Sequence, residues 1–213
     1  MKLLAPVLVL LGLSARAFAQ EPPPRIGPYV LDLHGTTAMF PNDLAQLAES
    51  RGLSLAELPG LGLGGDLGAH VYLFKWRAIT FGLGGEVTFA RSHAVPTAGQ
   101  GQAGLNPVTE RFVSAAPQLS FNFGTGRGWS YLSGGIGQSQ WSIHRDDEGP
   151  GQADQERLKT INYGGGARWF AKSHLAFSFD VRFYAIDPGT PVSPHPGSPR
   201  ATFMIVGAGV SLK

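Results

Sequence analysis

Between Leu175 and Tyr184 the chain sets Leu175, Phe177, Phe179, Val181 and Phe183 against Ala176, Ser178, Asp180, Arg182 and Tyr184, changing character at every step. A period of two is the mark of a β-strand, here with one face that prefers hydrocarbon and another that carries an acid and a base. The alternation recurs. A strand over about 26–38 opposes Tyr29, Leu31 and Leu33 to Asp32, His34 and Thr36, and one over about 61–73 opposes Leu63, Leu67, Val71 and Leu73 to Asp66, Gly68, His70 and Tyr72. Over about 78–93, Phe81, Leu83, Val87 and Phe89 oppose Thr80, Gly82, Glu86 and Thr88. Further strands fall at about 111–123, 129–144, 160–170 and 201–212, so the pattern predicts eight.

The connections sort by length. Long ones fall at about 39–60, 94–110, 145–159 and 187–200, and short turns at 74–77, 124–128 and 171–174, in strict alternation. An up-and-down membrane barrel of even strand number has this asymmetry, with short turns on the periplasmic side and long loops outside. Strand length agrees, since about 9–11 tilted residues cross the apolar layer. Aromatic residues gather near the short-turn ends, at Tyr29, Phe74, Trp76, Phe123, Trp129 and Trp169, where amphipathic rings at a membrane interface are expected. A soluble lipocalin-like barrel with the faces inverted uses the same alternation. The charged face and the sorted loops favour the membrane.

The stretch Ile161-Asn-Tyr-Gly-Gly-Gly-Ala-Arg-Trp-Phe-Ala-Lys-Ser-His-Leu-Ala-Phe-Ser-Phe-Asp-Val-Arg-Phe-Tyr184 resembles the Gly-rich strand, short turn and alternating return strand of the small eight-stranded outer-membrane β-barrel proteins, the OmpA/OmpX-like superfamily. The resemblance implies an all-β, eight-stranded antiparallel up-and-down transmembrane barrel in the outer membrane; it implies no single activity. The chain departs from the family pattern in ending Val210-Ser-Leu-Lys213, where such proteins commonly end on an aromatic residue read by the assembly machinery.

Composition changes the picture mainly at the N-terminus. Residues 1–19 join a basic start, an apolar run and Ala17-Phe18-Ala19, the form of a cleaved secretory signal peptide, with an apolar core too short for a spanning helix. An extended proline-rich leader over 20–25 and one barrel domain over 26–213 complete the expected organisation. Removing residues 1–19 takes away Lys2 and Arg16 and leaves acids and bases balanced, so no basic footprint for nucleic acid remains. With no cysteine, disulfides, thiolate metal sites and a lipoprotein anchor are excluded.

The face opposite the apolar one carries Asp32, His34, Asp66, His70, Glu86, Arg168, Asp180 and Arg182. In a closed eight-strand barrel, strand n faces strand n+4, which sets Asp66 and Glu86 across from Arg168 and Arg182. An interior of this size is just wide enough for side chains to fill, so these groups are expected to form a structural ion network and not line a pore.

Other chemistry is weaker. Ser92 and His93 are strand neighbours on opposite faces; Ser142 and His144 share a face but lack an orienting carboxylate. The acidic run from Arg145 to Glu156 fails the EF-hand spacing and reads as a solvated loop. In the first long loop, Asn42 is a candidate N-cap for a short helix, and Ser54 with Glu57 fits a capping box. The loop over 187–199 is proline-rich, hence stiff or disordered.

The expected protein is a non-enzymatic, monomeric envelope barrel without cofactor, metal or nucleic acid. Its partners are outer-membrane lipid, lipopolysaccharide and the barrel-assembly machinery. A small-solute channel and a lipid A-modifying enzyme are the alternatives.

Overall fold

The computed structural model describes residues 24–95 and 106–213. The proposed signal peptide and most of the leader lie outside the described residues. Eight antiparallel strands pair in sequence order and close on themselves: β1 (Tyr29–Met39), β2 (Leu61–Trp76), β3 (Ile79–Ala94), β4 (Val108–Thr125), β5 (Gly128–Arg145), β6 (Arg157–Phe170), β7 (Leu175–Ile186) and β8 (Ala201–Leu212). Closure runs from Leu31 opposite Leu212 to Met39 opposite Met204, leaving no unpaired edge. A bulge at Tyr72–Phe74 places Leu73 and Phe74 both outside, absorbing one residue where β2 nears its turn.

The alternation decides which face is which. Leu63 and Phe177 are 70% and 67% exposed, whereas Asp180 and Arg182 are 5% and 3% exposed. Exposed leucines, valines and phenylalanines encircle the barrel, an arrangement that requires an apolar solvent, so the inverted soluble barrel is excluded. On β3 the outward apolar column runs from Ile79 to Phe89; at ~3.3 Å per residue and a tilt of ~40° it spans about 25 Å, the height of an outer-membrane apolar band. Tyr29, Phe74, Trp76, Phe123 and Trp169 sit exposed at the short-turn end as expected.

Trp129 corrects the pattern: it faces inward, 3% exposed, stacked on Phe170 at 5.0 Å and edge-on to Tyr72 at 5.8 Å. With Ile26 and Val30 it closes the short-turn mouth. Lys213 lies over the Phe170 ring, 3.8 Å from its centroid, and its ammonium donates to the Gly126 carbonyl.

Strands β2 to β5 outrun the membrane band at the long-loop end. There the inward face changes character: Phe40, Phe112, Trp141, Ile143, Leu158, Tyr184, Ile186, Phe203 and Ile205 form an apolar collar, and the first long loop fills it. A short helix, α1 (Ala45–Ser50), and a 3-10 turn at Leu55–Glu57 drop Leu47, Ala48, Leu53 and Leu58 into the mouth. Asn42 does not cap α1. The helix starts after Leu44 with no side-chain cap, held by burial of its apolar side in the barrel. The capping box of Ser54 and Glu57 is formed. The loop over 187–200 is folded, with Val192 and His195 bridging and Gly189 N–H bonded to Ser198 O at 2.9 Å.

Candidate functional site

The site is the lumen, and its lower half is a polar layer. Arg168 on β6 forks onto Asp32 of β1, Nε to Oδ1 at 2.8 Å and Nη2 to Oδ2 at 2.6 Å, while Ser211 of β8 donates to the same carboxylate at 2.5 Å. The Arg168 guanidinium also lies 3.9 Å from the centroid of the Tyr131 ring. The expected partner, Asp66, is instead bound by His34 on the neighbouring strand, Nδ1 to Oδ1 at 2.9 Å, with His34 Nε2 on Ser178 Oγ at 2.7 Å. Strand stagger is the reason: tilting shifts the level of each wall, and Asp32, not Asp66, arrives at the height of Arg168.

Glu86 and Arg182 do meet across the lumen, β3 to β7, with Nε 3.0 Å from Oε2. Arg182 also binds Asp180, two residues earlier on its own face, at 3.1 Å, and Ser133 at 3.0 Å. Three carboxylates, Asp32, Glu86 and Asp180, thus share two guanidinium groups, while Asp66 is held by His34. Hydroxyls supply further donors: Tyr131 gives its proton to Asp180 at 2.7 Å and Tyr184 to Glu86 at 2.8 Å. Tyr131 and Tyr184 were on the inward parity of their strands, which is the signal by which sequence reasoning could have included them. His70 is buried beside this layer with neither ring nitrogen hydrogen-bonded. A cavity of about 10 Å³ remains among these groups, about enough for one water molecule.

The upper half is the apolar collar and its stopper, latched from outside. Arg145 at the end of β5 holds Glu57 through Nε to Oε1 at 2.8 Å and Nη2 to Oε2 at 3.1 Å, and reaches Gly52 O at 3.1 Å. Arg51 donates to Trp141 O at 3.0 Å and lies 3.5 Å from Asp154. Hydrogen bonds from Arg145 pull the Glu57 carboxyl down from the usual 4.5 to about 2; burial opposes this and the Ser54 N–H and hydroxyl assist it. A lowered carboxyl stabilises the latch above the unfolded value and loses that contribution as pH falls from about 4.5 through about 2. Pepsin cleavage in the first long loop should therefore rise across that window in the native protein. In Glu57→Gln the cleavage should already be high at its upper end and lose most of its pH dependence.

Elsewhere the candidate chemistry is committed to the loops. Ser142 Oγ lies 3.1 Å from His144 Nδ1, and among the described residues no carboxylate pairs with His144. Ser92 turns inward to the Leu61 carbonyl, away from His93. In the acidic loop, Asp146 accepts from Thr109, Asp147 from Asn106, Glu148 from Arg145 and Asp154 from the Ile143 and Gly151 amides. Among the described residues no three His, Asp or Glu side chains gather as a cation site.

Among solved structures the chain is similar to Neisserial surface protein A, at 11% identity over 88% of this chain and 97% of that one, with a TM-score of 0.57. It also aligns with outer membrane protein OprG from Pseudomonas aeruginosa (11% identity, 89% and 97% covered, TM-score 0.49) and Ail from Yersinia pestis (14%, 88% and 99%, 0.41). No family model and no curated protein sequence matches the chain. At such identity the likeness speaks for the fold alone, and that fold is the small eight-stranded outer-membrane β-barrel.

Proposed function

We propose that the chain is an integral outer-membrane protein with a structural or surface-interaction role, not a conduit and not an enzyme, with its long loops facing outward. The observation that carries this reading is the double obstruction of the lumen. A hydrogen-bonded ion layer fills the lower half and a latched stopper fills the upper half, leaving only about 10 Å³ between the charged groups. A conducting path would need both to move. Among the described residues no carboxylate orients His144 behind Ser142, so this pair lacks the oriented base that a serine nucleophile needs.

Reconstituted full-length protein in a planar bilayer is expected to show no stepwise conductance, and deletion of the gene no change in lipid A mass. Discrete steps would replace this reading with a channel; a lipid A mass shift would replace it with an enzyme.

A further inference from the structure

We propose that the outer wall of β3 to β6 is a docking surface for lipid A, the bisphosphorylated, multiply acylated lipid of the outer leaflet. The inference rests on the outer-membrane reading above. Along these strands the outward column is apolar up to Phe89, Val113, Ile136 and Ile161, and one pleat higher it becomes Arg91, Arg111, Gln138 and Lys159, followed by Gln140 and Arg157. All of these cations are exposed, and among the described residues none forms an ion pair. Arg91 and Arg111 stand directly opposite each other in the ladder. Like charges so placed repel, and an anion between or above them relieves that repulsion.

The other half of the rim differs. At the corresponding level β7, β8, β1 and β2 present Ala185, Thr202, Met39 and Leu61, with no charge. The cationic arc therefore has a side, and it lies where headgroup phosphates meet the top of the apolar band.

What lies beneath the arc fits acyl chains. Below Arg111 and Val113 the outward residues of β4 shrink to Ala115 and Pro117, flanked by Gly85 and Ala69 on the next strands. The wall is recessed here in a shallow apolar hollow of about 470 Å³ reaching across to Ala69, and a second hollow of about 340 Å³ shares Ala115 and rises among Gln138, Gln140 and Arg157 at the level of the arc itself. Cations above recessed hydrocarbon wall match a ligand with phosphates above several chains. The two-sided match, charge and shape, distinguishes this lipid from a free phosphate, which would leave the apolar hollow unused.

The test uses full-length protein in lipid nanodiscs or detergent, with bisphosphorylated lipid A, its dephosphorylated form and phosphatidylglycerol as probes, followed by native mass spectrometry. Bisphosphorylated lipid A should bind best, and binding should weaken with salt. Each surface cation is worth roughly fivefold in affinity, so the triple variant Arg91→Gln, Arg111→Gln, Arg157→Gln should bind about a hundredfold more weakly, and Arg111→Gln alone about fivefold. Arg127→Gln with Lys172→Gln, at the short-turn rim, should bind like the native protein. Equal retention of the dephosphorylated lipid or phosphatidylglycerol, or undiminished binding by the triple variant, overturns the proposal. Fractionation separates the two levels: a native protein missing from the outer membrane defeats the membrane reading itself, while one present there but indifferent to the arginines defeats only this docking site.

Discussion

Arg182→Ala should lower the unfolding free energy by about 3–5 kcal/mol, the cost of removing one partner from a buried ion pair and leaving its counter-charges alone. The environment places it at the upper end. Arg182 is 3% exposed and binds Glu86 at 3.0 Å and Asp180 at 3.1 Å, so its loss strands two carboxylates in a barrel interior with no route to bulk water. Glu86 and Asp180 are like charges bound to the same guanidinium, and Arg182 is the group that offsets the repulsion between them. The measurement is the urea midpoint in detergent, followed by heat-modifiable gel mobility. Neutralising the partners as well, in Arg182→Ala with Glu86→Gln and Asp180→Asn, should recover much of the loss, since amides tolerate what stranded carboxylates do not. An unchanged midpoint in Arg182→Ala would show that the network is not structural.

The second arginine is coupled to the first. Tyr131 lies under the Arg168 guanidinium and donates to Asp180, so removal of Arg168 and of Arg182 should not add. One shared tyrosine ties the β1–β6 pair to the β3–β7 pair. The lower lumen is therefore better regarded as one polar layer than as separate salt bridges.

How much of this was legible in the chain depends on which rule was followed and for how far. Period-two alternation located all eight strands and, outside the irregular β5, their two faces, because a one-step slip would have put Asp180 in lipid and Phe179 in the lumen. The inward charges were identifiable for the same reason. Their pairing was not, because stagger is a property of the closed barrel and alternation along one strand carries no information about it; hence Asp32 and not Asp66 faces Arg168. Trp129 was assigned to the membrane interface by its nearness to a turn, whereas parity with Tyr131 and Ser133 puts it inside. The same parity, carried to the upper ends of the strands, marks Phe112, Trp141, Tyr184 and Phe203 as inward aromatics. Aromatics in a lumen lined with charges imply a second apolar element to cover them, and the leucines of the first long loop are that element.

Phe203→Ala should open this stopper without unfolding the barrel. The Phe203 ring is central to the collar: it lies 5.1 Å from Phe40, 4.8 Å from Phe112, 5.7 Å from Trp141 and 5.9 Å from Tyr184, centroid to centroid. Truncating a buried phenylalanine costs about 3–5 kcal/mol. That cost falls on whatever nearby unit gives way most easily. The backbone ladder between β7 and β8 is untouched by the change, whereas α1 is six residues long and stands only by packing into the collar. Local release of the first long loop is therefore the expected response, and the same energy shifts its opening equilibrium by a factor of about 10² to 10³·⁵. Arg51, with 2% of its side chain exposed, reports on it: trypsin should cut after Arg51 at least about a hundredfold faster in the variant, because cleavage tracks the open population. Heat-modifiable mobility should stay native, and the bilayer should stay silent, since the ion layer below still closes the lumen. If Arg51 remained uncut while the midpoint of the whole barrel fell by the full 3–5 kcal/mol, stopper and barrel would be a single cooperative unit and the two obstructions could not act independently.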